Sequence, residues 1–365
     1  MPNSERSNLI EILNESRKDI AGRQIIVWGV GNTAKLYREN LIELEMEGLN
    51  IVCYADSKFR GGEFNGKPVI SPQEIGQMRD VFVIICSMNP VIIAEIQKKL
   101  AELEIDGELI DSVIFSRHDR EVMEVYDMLE DRESKRVYAS LIEARMKGTN
   151  PSEDIVTEDQ YYVLPQFAEE NTEEVLIECG AFNGDTLEAY IRKKNGKFGK
   201  IISFEPVPDN IREADKRVKR LLEEYALAEN KVTLYPYAVG DKEGKALIMR
   251  SETNSGNLSQ IKSAESGDGR VEKEWVRTVM LDEFLKGPYS FLKADVEGYE
   301  NKVLHGAEQG IKRYKPLLAI CIYHNAMDFY GIPLLIKKMV PEYKMAIRHH
   351  KETLSETVVY ARIDR

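Results

Sequence analysis

Three ionisable side chains stand on alternate residues in Lys293-Ala-Asp295-Val-Glu297, at the end of the apolar run that opens at Phe291. Alternate residues of an extended strand share a face, so this run gathers a cation and two carboxylates where a β-strand runs out. Tyr323-His324-Asn325 closes a second apolar run, Leu317 to Tyr323. A hydroxyl nucleophile must lose its proton as it attacks, and a histidine has the pKa suited to taking it. His324 is therefore the candidate base, with Asp295 and Glu297 orienting the reacting groups; a histidine that merely caps a strand end is the structural alternative. The same three residues, Asp295, Glu297 and His324, could instead hold a divalent cation that lowers the pKa of a hydroxyl, although nothing in their spacing demands a metal.

A second constellation lies upstream. Glu178-Cys-Gly180-Ala181-Phe-Asn-Gly184-Asp185-Thr186 places an acid at the end of an apolar run and glycines two and six positions further on. Such a turn lets backbone approach a ligand closely. A dinucleotide fingerprint would be G-x-G-x-x-G; the spacing here is G-x-x-x-G. With the acid in front, it favours S-adenosylmethionine, whose cationic amino-acid portion wants a carboxylate. The next apolar run ends in Ser203-Phe204-Glu205-Pro206, 27 residues after Glu178. A carboxylate at that strand tip can accept both hydroxyls of a ribose. A third run ends in Tyr237-Ala238-Val239-Gly240-Asp241, where small residues leave room for an adenine edge. Any one of these acids could be a solvated strand-end residue, but the three tips together match one cofactor.

The elements that must position these residues follow from the alternation of short apolar runs with helical stretches, the pattern of α/β proteins with parallel sheets. In the C-terminal half, strands are expected at 175–179, 200–204, 232–237, 291–296 and 317–323. Helices are expected at 185–194, 208–228, 300–314 and 331–340. Two closing strands, 343–349 and 357–363, are separated by a short loop and should pair antiparallel. Open sheets of this kind bind ligands outside the carboxyl ends of their strands. Ser251 to Arg270, rich in Ser, Gly and Asn, reads as a loop over the sheet edge. Glu158-Asp159-Gln160-Tyr161-Tyr162 reads as core packing of its tyrosines or, equally, by likeness to the related enzymes named below, as part of a lid. His349 and His350 point to opposite faces of a strand and read as surface residues.

The residues from about 175 to 362 resemble the FkbM-type S-adenosylmethionine-dependent methyltransferases. The matching pieces are Glu178 to Thr186, Phe204-Glu205-Pro206, Ala238-Val239-Gly240-Asp241, Val279-Met-Leu281-Asp282-Glu283-Phe284, Phe291 to Glu300, Leu304-His-Gly306-Ala307 and Arg348-His349-His350. Glu178 stands where an Asp is commoner. The resemblance implies a seven-stranded Rossmann-like methyltransferase sheet with its last strands antiparallel, and methylation of hydroxyls on sugars, glycolipids or polyketides. Cofactor contacts are then expected from Glu178, Gly180, Ala181, Gly184, Asp185, Thr186, Glu205, Ala238, Val239 and Asp295.

The N-terminal half forms a smaller α/β unit, with strands expected at 24–30, 50–55, 81–86 and 108–115 and helices between them. Gly29-Val-Gly31-Asn-Thr-Ala34 fits G-x-G-x-x-A, and Asp56 follows 25 residues after Gly31, a dinucleotide pattern by spacing. The unit also resembles small Rossmann-like domains beside sugar-modifying transferases, through Tyr54-Ala-Asp56-Ser and Gly66-Lys-Pro-Val. A nucleotide or nucleotide-sugar site, an NAD site and a purely structural or oligomerisation module all stay open. So do two other functions for the chain, an NAD-dependent oxidoreductase and a non-catalytic nucleotide-binding scaffold. The expected domains are 1–115, a helical connector 116–165, and 166–365.

Composition sets the outer limits. The 365 residues carry 50 Lys+Arg against 62 Asp+Glu, a net charge of −12. That balance disfavours binding to duplex nucleic acid, where affinity comes from neutralising phosphates. The first twenty residues lack an apolar core of the kind a secretion signal needs, and no apolar run approaches a membrane span. A cytoplasmic protein acting on a small-molecule or carbohydrate acceptor is expected, with a homo-oligomer compatible. Cys53, Cys86, Cys179 and Cys321 each lie within an apolar run and are expected to be reduced core residues.

Overall fold

The computed structural model describes residues 2–58, 61–157, 171–250, 256–259 and 272–364. The chain divides into two units: Met1–Ile155 with Tyr323–Tyr330 and Glu352–Ser355, and the remainder.

The first unit is built on a six-stranded sheet in the order β3-β4-β2-β1-β5-β6. Its strands are β1 (Gln24–Trp28), β2 (Ile51–Ala55), β3 (Glu63–Phe64), β4 (Lys67–Ile70), β5 (Val81–Ile85) and β6 (Gly107–Leu109). The pairs β1–β2, β1–β5, β2–β4 and β5–β6 are parallel; β3 and β4 form an antiparallel hairpin. β5 is buried along its whole length, as expected of a strand covered on both faces.

The strand expected at 108–115 is corrected here: it stops at Leu109, and Ile110–Arg117 is a helix. Seven of that helix's residues, from Ile110 to Ser116, are buried. A continuous apolar run does not distinguish a buried strand from a helix buried all round. The hairpin β3–β4 is additional to the sequence reading. It turns at Asn65 and Gly66, both at positive φ. The helices Asp119–Met128 and Arg132–Lys147 belong to this first unit. The second is capped by Asp131, which accepts from the Ser134 amide at 2.8 Å, and is ended by Gly148 at φ +65°, the usual start and stop chemistry of a helix.

The second unit contains β7 (Val175–Cys179), β8 (Lys200–Phe204), β9 (Val232–Tyr235), β10 (Tyr237–Val239), β11 (Gly244–Arg250), β12 (Gly256–Ser259), β13 (Glu272–Val279), β14 (Phe291–Ala294), β15 (Leu317–Cys321), β16 (Lys344–His349) and β17 (Thr357–Arg362). Seven form the main sheet, in the order β16-β17-β15-β14-β7-β8-β9. β9, β8, β7, β14 and β15 are mutually parallel, and β17 enters antiparallel between β15 and β16. The expected architecture is present, with the closing pair antiparallel as read. Topology also puts β7, the first strand of the unit, in the middle of the five parallel strands, so the glycine turn that follows it emerges midway along their carboxyl edge.

The run read as one strand at 232–237 is two, β9 and β10. β10 turns away into a second sheet, β10-β13-β11-β12. Part of the segment read as a loop at 251–270 is strand β12, paired antiparallel with β11; the other residues of that segment, and Glu158 to Tyr162, lie outside the described residues. The expectation that His349 is a surface residue is also corrected. It is fully buried, with Nδ1 2.8 Å from the Thr357 hydroxyl, and His350 Nε2 lies 3.0 Å from the Tyr360 hydroxyl. A cross-strand hydroxyl meets one nitrogen of each ring, where sequence shows only two adjacent histidines. The four cysteines are buried and unpaired with one another, as expected.

Candidate active site

At the end of β7 the chain turns through Gly180 to Gly184. Gly180 has φ +87°, and a Cβ there would fall 1.8 Å from the Asp295 carbonyl oxygen, so a side chain is excluded both by conformation and by space. The Gly180 and Ala181 amides donate to the Phe204 carbonyl at 2.9 and 3.1 Å, tying the turn to the end of β8. Phe182 follows at φ +48° with its ring exposed, an unfavourable backbone for an aromatic residue and one of the kind that clusters at functional sites. Gly184, at φ +81°, opens the helix Asp185–Lys193, where the Asp185 carboxylate accepts from the Thr186 amide at 2.8 Å.

Beneath this turn lies a buried ion pair. Lys293 on β14 is the register partner of Glu178 on β7. Its Nζ donates to the Gly180 carbonyl at 2.7 Å and lies 3.4 Å from Glu178 Oε1, both side chains being almost wholly buried. Burial alone would lower the lysine pKa, but Glu178 and Asp295 outweigh it and hold the ammonium above its ordinary value. The Thr186 hydroxyl donates to Glu178 Oε1, and the Ser203 hydroxyl to Oε2 at 2.7 Å. Glu178 was expected to meet a cofactor's ammonium; both its oxygens are already engaged by the protein, and its charge is balanced by Lys293. Sequence singled out Lys293 as a charge but not as this partner, because the pairing needs the order of the strands.

Glu205 lies just past the tip of β8, and its carboxylate is 5% exposed. Oε2 accepts from the Phe182 amide at 2.8 Å; Oε1 accepts from the Val207 amide at 2.8 Å and from Asn210 at 3.4 Å. Burial pushes its pKa up to about 7 despite these donors. A carboxylate offers about four lone-pair directions, so three donors leave acceptor capacity. The acid expected to hold a ribose is thus bonded to the glycine turn expected to hold the rest of the ligand. Ala238 and Val239 on β10 are buried, Ala238 in an apolar cluster with Val207 and Val276.

Asp295 follows β14 directly, its amide donating to the Cys179 carbonyl at 3.0 Å, and it is partly exposed. Strand alternation ends there, so Glu297 does not line up as sequence predicted. It lies in a loop at φ +57°, followed by Gly298 at φ +93°. Glu300, fully buried in the first turn of the helix Glu300–Gly306, closes that loop by accepting from the Val296 amide at 2.7 Å. Its carboxylate also lies within 4.8 Å of Asp295. Glu300, which the sequence reading did not single out, is thus a carboxylate close to Asp295. His324 is buried on the segment 323–330, which belongs to the first unit, with its ring 4.1 Å from that of Tyr323 between centroids.

In the first unit, Gly29 has φ +123°, and a Cβ there would fall 2.5 Å from the Cys86 carbonyl. Asp56 accepts from the Val30 amide at 3.1 Å and from the Lys58 amide at 2.8 Å. Its two oxygens tie together the segments that follow β1 and β2. Gly31 precedes the short helix Asn32–Leu36. A cavity of about 540 Å³ opens between Arg17, Lys18, Glu47, Arg117 and His118.

Residues 178–351 match the family model for the methyltransferase FkbM domain. This segment is an FkbM methyltransferase domain. It belongs to the S-adenosylmethionine-dependent methyltransferases and takes in Glu178, Glu205, Lys293, Asp295, Glu300 and His324. Residues 21–110 match a second model, C2185-like, N-terminal. No curated protein shows significant sequence similarity to the chain. A crystal structure of a methyltransferase FkbM from Methylobacillus flagellatus KT is similar over 99% of this chain and 100% of that one, with a TM-score of 0.60 and 15% identity. An rRNA methylase from Streptococcus thermophilus is similar over 53% of this chain and 89% of its own, with a TM-score of 0.33 and 12% identity. The first of these is a likeness of fold. No helix among the described residues is long and apolar enough to cross a membrane.

Proposed function

We propose that this FkbM domain methylates an oxygen of a sugar, a glycan or a related small molecule, using S-adenosylmethionine as donor. The observation that carries the reading is Glu205, a buried carboxylate hydrogen-bonded to the glycine turn it adjoins. An acid and a close-approach turn in one hydrogen-bonded unit fit a ligand with a ribose diol and a compact polar tail. When bound, the donor supplies a methyl group on a sulfonium, already electrophilic. The protein then has to bring an acceptor oxygen into line and take up its proton, and proximity accounts for most of such a rate gain.

In this reading Glu205 holds the ribose, and the backbone of Gly180, Ala181 and Gly184 with Asp185 and Thr186 shapes the adjacent subsite. Ala238 and Val239 border the base, and Asp295 faces the donor or acceptor. Glu178 acts through Lys293, keeping the Gly180 carbonyl fixed. His324 accepts the acceptor's proton. Should a divalent cation take that role, Asp295 and Glu300 are the carboxylates placed to share it. The Gly29–Asp56 region is read as a structural loop, Asp56 tying the segment after β1 to the segment after β2.

Titration calorimetry with S-adenosylmethionine and its demethylated product tests the donor assignment. Both should bind, and Glu205→Ala should weaken them at least about tenfold, the loss of roughly one charged hydrogen bond. Unchanged affinity in Glu205→Ala would overturn the assignment. Labelled methyl transfer to a panel of mono- and oligosaccharides, followed by cleavage of the product, then identifies the methylated atom. His324→Gln should abolish that transfer while leaving donor binding intact.

A further inference from the structure

The first unit contains a buried arginine that the function above does not use. Arg145, on the helix Arg132–Lys147, has a side chain with no exposed surface. Its Nε donates to Asp111 at 2.9 Å, one terminal nitrogen donates to the Tyr37 hydroxyl at 2.6 Å, and the other donates to the Tyr323 carbonyl at 2.9 Å. Tyr37 in turn donates to the second oxygen of Asp111 at 2.5 Å. The guanidinium stacks over the Phe329 ring at 5.0 Å. Burial disfavours the charge, but Asp111 and Tyr37 outweigh it, so the group stays ionised.

A buried ion pair of this sort adds little net stability compared with apolar packing, because desolvation offsets its Coulomb gain. What it fixes is direction: a planar fork with three acceptors in three directions cannot rotate without losing a bond. The third acceptor is the carbonyl immediately before His324. The remainder of the segment 323–330 is held by the same unit. Asn40 Nδ2 lies 2.8 Å from Met327 Sδ, Phe329 packs edge-on against Phe115 and below Tyr138, and Tyr330 stacks on His118 at 5.0 Å.

We propose that Arg145, oriented by Asp111 and Tyr37, is a positioning residue for His324, and that the first unit thereby holds the segment 323–330 on which His324 stands. The link is the peptide itself: the Tyr323 carbonyl and the His324 amide are one planar group, so a carbonyl fixed by the guanidinium fixes the backbone from which the imidazole projects. The functional weight of this link rests on the reading of His324 as the base, but the positioning can be measured without an acceptor.

The chain has five histidines, so ring ¹⁵N and ¹H signals of the full-length protein can be assigned to His324 by comparison with His324→Gln. Tyr37→Phe removes one hydroxyl, and Arg145→Lys keeps the charge but loses the fork. In both variants the His324 ring signals should move. Affinity for the demethylated cofactor should stay within about twofold, and the signals of His305 should not move. Unmoved His324 signals in a folded Tyr37→Phe protein would overturn the proposal, as would uniform shifts of all five rings. Should Arg145→Lys fail to fold, Tyr37→Phe decides alone. Intact methyl transfer in His324→Gln would instead sink the base assignment while leaving the positioning result standing.

Discussion

Two acids a strand apart, both almost fully buried, have opposite environments. Glu178 has a lysine, a threonine and a serine on its oxygens; Glu205 has backbone amides and one distant amide side chain. For Glu205 the raised pKa, about 7 against 4.5, couples pH to two quantities. The folded state holds more protons than the unfolded between those values, so stability contributed by this group is present at low pH and falls as pH rises through 7. Donor affinity runs the other way if the ionised carboxylate accepts the ribose hydroxyls. Calorimetry at pH 6 and pH 8 should give about tenfold weaker binding at the lower pH, from the ionised fraction of a group titrating near 7, and Glu205→Gln should flatten that dependence. For Glu178, removing its partner is costly. Lys293→Met leaves a buried carboxylate uncompensated and should destabilise by roughly 3–5 kcal/mol, read as a lower urea midpoint. Adding Glu178→Gln to it should recover much of the loss, since the two effects share one interaction; additive losses would show the pair to be independent. Sequence made both acids visible but not their difference, which depends on what lies across the sheet and beneath the turn.

At the scale of elements, the carboxyl edge of the main sheet is organised by backbone as much as by side chains. The turn after β7 passes so close to the residue after β14 that one methyl group would overlap a carbonyl oxygen. Gly180→Ala is therefore expected to cost roughly 3 kcal/mol or more, through an imposed backbone shift and strain at φ +87°. Thermal unfolding measures that cost, and a Tm within about 2 °C of the parent would show that the turn yields easily. The glycine spacing was legible because such a turn writes itself in residue types, as were the parallel strands, whose apolar runs are interrupted by helices of the right length. Glu297 and Glu300 mark where legibility stopped. Period-two reasoning holds inside a strand and fails beyond it: three residues past β14, Glu297 adopts a left-handed conformation, and Glu300 turns back onto the loop. The helix Ile110–Arg117 was missed for a related reason, since burial on every side erases the periodicity that identifies a helix.

At the scale of the whole molecule, chain order and structural membership diverge. The sequence suggested consecutive domains, yet residues 323–330 and 352–355 cluster with the N-terminal unit although they lie within the C-terminal half. No residue type announces this, because Phe329 and Tyr330 read equally well as the start of a helix packed on its own sheet. The consequence concerns separability. A chain beginning at residue 156 would retain the strands β7 to β17 but lose Tyr37, Phe115, Tyr138 and Arg145. Phe329, fully buried in the intact protein, would lose ring contacts with Phe115 and Tyr138, and the Tyr323 carbonyl would lose its charged donor. Exposing an aromatic side chain of this size forfeits about 1.5–3 kcal/mol, a sizeable share of what a domain ordinarily has to spare. The truncated chain should therefore bind a hydrophobic dye and lose the cooperative melting of the full protein. A sharp transition with undiminished affinity for the demethylated cofactor would show instead that the methyltransferase sheet is self-sufficient, and that the N-terminal unit grips a segment already held from within.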